Sequence, residues 1–85
     1  MKNKVWFEIR VPEIGEIYSV YLPSNKKIGN IIILLNKAIN EITNGEFPLS
    51  NENLLFDSIN GTLLSKDGIL LNTNIRNGSK LILLS

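Results

Sequence analysis

Ile28-Gly29-Asn30-Ile31-Ile32-Ile33-Leu34-Leu35-Asn36-Lys37-Ala38-Ile39-Asn40-Glu41-Ile42 is the stretch that decides the fold. At 100° per residue, Ile28, Ile31, Ile32, Leu35, Ala38, Ile39 and Ile42 fall within an arc of about 120°. Gly29, Asn30, Asn36, Lys37, Asn40 and Glu41 occupy the opposite side. This is an amphipathic helix, and it needs an apolar surface to cover. Pro23-Ser24-Asn25 ahead of it breaks the preceding segment and offers capping oxygens. Asn44-Gly45 behind it is a left-handed helix stop. Ile33 dissents, pointing into the polar face, with Leu34 at its border.

Outward from the helix, the flanking segments change period. Val5-Trp6-Phe7-Glu8-Ile9-Arg10-Val11 alternates, as a half-buried strand does, and Pro12-Glu13-Ile14-Gly15-Glu16 interrupts it. Ile17 to Leu22 alternates again. Folded as a hairpin, the two strands oppose Val5 to Leu22, Phe7 to Val20, Ile9 to Tyr18 and, on the outer face, Trp6 to Tyr21. After a loop at Phe47–Asn51, Leu54 to Ile59 reads as a strand, and Asn60-Gly61 turns it back through Thr62-Leu63-Leu64. Ser65-Lys66-Asp67-Gly68 turns the chain once more. Ile69 to Ile75 reads as a short helical turn or irregular crossing, and Lys80 to Leu84 as the last strand. The order β-β-α-β-β-(short turn)-β gives an α+β domain spanning residues 1–85. Its four- or five-stranded mixed sheet wraps one main helix, with the first and last strands side by side at the centre. The expected core is Phe7, Ile9, Val20, Ile28, Ile32, Leu35, Ile39, Leu54, Ile75, Leu81 and Leu83.

Composition excludes several classes of function. The chain has 85 residues, 44% of them hydrophobic and 20% charged, which suits one ordinary globular domain. A net charge of +1, with the basic residues scattered, leaves no electrostatic footprint for nucleic acid or an anionic membrane. The longest apolar run, Ile31 to Leu35, is far short of the roughly 20 residues that span a bilayer. From Val5 the N-terminal region alternates, unlike a signal peptide, so a cytoplasmic protein is expected. With no histidine and no cysteine, there is no Ser-His-Asp triad, thiol nucleophile or His/Cys zinc site. Glu13, Glu16, Asp57 and Asp67 read as solvated turn acids, and the glycines are isolated at turns and helix ends, forming no phosphate loop. The expectation is a binding protein, not an enzyme, with no catalytic residue, metal or cofactor.

The apolar excess points to where it binds. Leu54 to Phe56 and Leu81 to Leu84 are continuous runs, so alternation pushes half of each outward. With Leu54, Phe56, Leu81 and Leu83 inward, Leu55, Ile82 and Leu84 land together on the outer sheet face, a contiguous patch for a partner or for self-association. Trp6 and Tyr21 form a second candidate: the pair stiffens the hairpin by about 0.5–1 kcal/mol and has the composition of an interface hot spot. Ile33 is a third, an exposed helix position able to pack on another subunit.

Several stretches resemble ubiquitin. Leu22-Pro23-Ser24 ahead of Lys27-Ile28-Gly29-Asn30-Ile31-Ile32 resembles the entry to its helix, and Leu54-Leu55-Phe56 its third strand. Leu70 and Asn74-Ile75, followed by Ser79-Lys80-Leu81-Ile82-Leu83, resemble its close. A nearer resemblance is to the YukD/EsaB-like family of Gram-positive bacteria, carried by Ile75-Arg76-Asn77-Gly78-Ser79-Lys80-Leu81-Ile82-Leu83. It departs from that family around Ser58 to Ser65. The resemblance implies a ubiquitin-like β-grasp whose outer sheet face contacts partners. It also implies a cytoplasmic accessory or regulator of a type VII secretion system exporting small WXG-type proteins, with a secretion-system component as partner. Covalent modifiers and sulfur carriers share the fold but act through a C-terminal Gly-Gly. Here the chain closes Leu83-Leu84-Ser85, and the nearest glycine, Gly78, precedes the last strand. A small regulatory binding protein unrelated to secretion is the remaining alternative.

Overall fold

The computed structural model describes residues 4–85. The alternating N-terminal segment forms β1 (Lys4–Val11), and a single 3-10 turn at Pro12–Ile14 returns the chain into β2 (Glu16–Pro23). The antiparallel register is the expected one, with Val5 opposite Leu22, Phe7 opposite Val20, Ile9 opposite Tyr18 and Trp6 opposite Tyr21. The helix α1 (Ile28–Ile42) follows, then β3 (Leu54–Asp57), β4 (Thr62–Leu63), a 3-10 turn at Leu70–Asn72 and β5 (Ser79–Leu84). The five strands lie in the order β2-β1-β5-β3-β4, with β1 and β5 parallel at the centre. This is the expected mixed sheet around one helix, the β-grasp arrangement.

The start of α1 corrects one expectation. No side chain caps it; Lys27 is the N-cap, and Ser24 and Asn25 lie upstream. The first helical N–H groups instead donate to the turn after β4, Ile28 to the Gly68 carbonyl at 2.8 Å and Gly29 to the Lys66 carbonyl at 2.9 Å. Backbone carbonyls from a distant segment thus satisfy donors that a cap would otherwise take. The helix stop is as read: Asn44 and Gly45 take φ of 53° and 87°, and the Gly45 N–H donates to the Asn40 carbonyl at 2.8 Å.

The core joins Phe7, Ile9 and Val11 of β1, Leu55 of β3 and Leu81 and Leu83 of β5 to Ile28, Ile31, Ile32, Leu35 and Ile39 of α1, closed by Phe47, Leu70 and Ile75. The buried stripe of α1 is rotated from the expected one. Ala38 is exposed, Ile42 is 63% exposed, and Asn36 is buried. The cause is the loop after the helix. Its Phe47 is fully buried, held by a bond from its N–H to Thr43 Oγ1 (3.1 Å) and one from Asn40 Nδ2 to its carbonyl (2.8 Å). Val20 is only partly buried because β2 is an edge strand.

β3 also stops earlier than expected, at Asp57 and not at Ile59. The Asp57 carboxylate accepts the Ile59 N–H at 2.9 Å, and the Asp57 carbonyl accepts the Gly61 N–H at 2.8 Å. These bonds wind Ser58–Gly61 into a loop, so that Asp57 pairs directly with Thr62.

Candidate functional site

Leu55 does not lie on the outer face. It is 0% exposed, opposite Leu83, while Leu54 is 37% exposed opposite Leu84. The residue that sets this parity is Asn53. It is fully buried and tied to the helix by Asn36 Nδ2, which donates to Asn53 Oδ1 at 2.9 Å. Since alternate residues of an extended chain share a face, an inward Asn53 turns Leu55 inward and sends Leu54 and Phe56 outward.

The corrected outer face consists of rows that cross the strands. One spans the whole sheet: Ile17, Arg10, Ile82, Phe56 and Leu63 are successive partners on β2, β1, β5, β3 and β4. Leu54 and Leu84, paired with each other, border it on one side. Leu54, Phe56, Leu63, Ile82 and Leu84 therefore form a contiguous apolar cluster on three neighbouring strands, with Ile82 and Phe56 half-buried among the others. Cross-strand neighbours on one face sit about 5 Å apart, close enough to make one surface. On the other side runs a polar row, Ser19, Glu8 and Lys80. Glu8, Arg10, Ile17, Ser58 and Lys80 line a shallow depression there.

Beyond the polar row stand Trp6 and Tyr21, paired as expected. Tyr21 is 69% exposed, whereas Trp6 is half-buried against the turn before β5. Asn77 Oδ1 accepts the Trp6 N–H at 2.9 Å, and the Trp6 carbonyl accepts the Gly78 N–H at 2.8 Å. A Cβ on Gly78 would lie 3.2 Å from the indole ring. Trp6 thus fastens β1 to the start of β5, and Tyr21 is the free member of the pair. Ile33 is exposed on α1, beside Leu49 and Lys37, and belongs to neither group.

Of the six residues singled out from sequence, Ile82 and Leu84 share the apolar cluster, Trp6 and Tyr21 pair elsewhere on the same face, Ile33 stands alone on the helix, and Leu55 is core. Leu54, Phe56 and Leu63 are the members that sequence reasoning missed. The signal for them was Asn53, whose burial fixes the phase of the run that follows. Among the described residues no group of three or more His, Cys, Asp or Glu is placed to hold a metal ion, and no helix is long and apolar enough to cross a membrane.

No protein-family model matches the chain, and no curated protein matches it in sequence. Solved structures do match. A chain of the MycP5-free ESX-5 inner membrane complex, State II, aligns with a TM-score of 0.77 at 22% identity, over 95% of this chain and 20% of its own length. The present chain therefore spans one fifth of that one. The ubiquitin of Caldiarchaeum subterraneum aligns with a TM-score of 0.69 at 14% identity, over 96% of this chain and 92% of the other. A de novo design based on ubiquitin gives 0.66 at 24% identity, over 98% and 89%. The fold is ubiquitin-like.

Proposed function

We propose that this chain is a non-enzymatic protein-docking module, acting in the cytoplasm beside a type VII secretion apparatus and engaging a larger component through the outer face of its sheet. The observation that carries the reading is the cluster of Leu54, Phe56, Leu63, Ile82 and Leu84. These are apolar side chains in direct cross-strand register on a face that, among the described residues, no helix covers. Contiguous exposed apolar surface of this kind marks interaction sites far more than isolated exposed leucines do. Phe56 and Ile82 at its centre supply a desolvated anchor, while Arg10, Glu8 and Lys80 form a charged rim that sets orientation.

The secretion setting draws support from the likeness to a domain-sized part of an ESX-5 inner membrane complex chain and from the resemblance to YukD/EsaB-like sequences.

The test is the double variant Leu54→Asp/Ile82→Asp in affinity capture from the cells of origin. Loss of the captured secretion component with an unchanged circular dichroism spectrum is the expected result. Undiminished capture removes the outer face from consideration.

A further inference from the structure

The two margins of the sheet are built differently. β4, at one margin, is two residues long, a strand too short to template another chain. β2, at the other, runs for eight residues, and between Glu16 and Pro23 it reads Ile17-Tyr18-Ser19-Val20-Tyr21-Leu22, with no charge and no proline. Lysines, prolines and bulges are the usual protections of an edge, and this one has none of them within that run.

The phase of its backbone follows from Trp6. The N–H and carbonyl of Trp6 are both taken up on the β5 side, by Asn77 and Gly78. Successive residues of a strand point their backbone groups to opposite sides, so Phe7 and Ile9 face β2. Their partners Val20 and Tyr18 point back at β1. The N–H and carbonyl groups of Ile17, Ser19 and Tyr21 therefore point away from the sheet. Among the described residues, no backbone hydrogen bond outside the sheet ladder reaches them.

We infer that β2 pairs with β2 of a second copy, antiparallel about a two-fold axis at Ser19, to give one continuous sheet across the dimer. This register is the one the residues favour. It sets Ser19 against its own copy and Ile17 against Tyr21 on the outer face, and Tyr18 against Val20 on the inner face. Every outward N–H then meets an outward carbonyl. The ends are complementary in charge. Glu16, at the start of β2, comes to lie towards the end of the partner strand, near which Lys4, Lys26 and Lys27 are exposed. A parallel pairing would bring like charges together. The partner is a second copy because self-pairing matches both the alternation and the charge of the two ends. This edge is separate from the apolar cluster on β3, β4 and β5, so it can be occupied while that cluster is engaged.

A seam made chiefly of one strand is small, and interfaces of that size associate weakly, with dissociation constants on the order of 100 µM. Sedimentation velocity of the full chain from about 10 µM to about 1 mM should show a monomer–dimer equilibrium that weakens with added salt. Over the same range, amide exchange at Ile17, Ser19 and Tyr21 should slow. Ser19→Lys places two ammonium groups face to face and should abolish the dimer with the circular dichroism unchanged. The chain has no native cysteine, so Ser19→Cys should form a disulfide-linked dimer under mild oxidation, while Ser58→Cys, exposed elsewhere on the same face, should not. A monomer throughout the range, a dimer indifferent to Ser19→Lys, or equal cross-linking from Ser58→Cys would overturn the inference.

Discussion

Truncating Asn36 to alanine should destabilise this domain more than truncating most of its apolar residues. The carboxamide makes three bonds. Its Nδ2 donates to the Pro48 carbonyl at 3.1 Å and to Asn53 Oδ1 at 2.9 Å, and its Oδ1 accepts the Ser50 N–H at 3.1 Å. Asn53 in turn donates to the Leu84 carbonyl at 3.3 Å. The pair therefore ties α1 to the 47–53 loop and to the end of β5. In Asn36→Ala, Asn53 Oδ1 is orphaned in a fully buried position, at about 1–3 kcal/mol. The Pro48 carbonyl and Ser50 N–H are only part-buried, recover some water and add less. The sum is about 3 kcal/mol, or roughly 15 °C in Tm for a domain of this size. Urea unfolding followed by the fluorescence of Trp6, the single tryptophan, measures the first quantity. Hydrogen exchange at the Ser50 amide measures the release of the loop. Asn53→Ala should cost a similar amount, and the two together less than their sum, because each removes the same bond. A loss below about 0.5 kcal/mol for Asn36→Ala with unchanged exchange at Ser50 would refute the reasoning.

Leu55→Ala should cost about 2–5 kcal/mol, since it opens a cavity in a fully buried site, while Leu54→Ala next to it should stay within about 1 kcal/mol; equal losses in thermal melts would reverse the parity of β3. Gly78→Ala should cost about 1–3 kcal/mol from its left-handed φ and the close approach to the indole, and should shift Trp6 emission. Gly61→Ala, also at positive φ but with nothing within 4 Å of the added Cβ, should cost less and leave the emission unchanged.

Local signals in the sequence sufficed wherever one element determined its own geometry. Strict alternation in Val5–Val11 and Ile17–Leu22 fixed the β1–β2 register residue by residue, because a slip of one position would have exposed Phe7 and Ile9. The helical period located α1 and, with Asn44-Gly45, its end. Information ran out where distant segments decide. Leu54-Leu55-Phe56 is apolar at every position, so its phase is invisible locally and is set by a hydrogen bond from Asn36, 17 residues away. Asn36 itself read as a solvent-facing residue, since nothing near it announces that the 47–53 loop will fold over it. The carbonyls that satisfy the start of α1 likewise come from Lys66 and Gly68, long after the Ser24 and Asn25 side chains that a local reading prefers. The candidate site inherits this division. Ile82 and Leu84 were legible, while Leu54, Phe56 and Leu63 became so only once Asn53 was seen to face inward.

Site-specific photo-cross-linking in the cells of origin tests most directly whether the outer sheet face is the docking surface. A benzophenone side chain at position 56, at the centre of the cluster, should give a covalent adduct with a component of the secretion apparatus, and one at position 33 on the helix should not. Adducts from position 33 with none from position 56 would contradict the account.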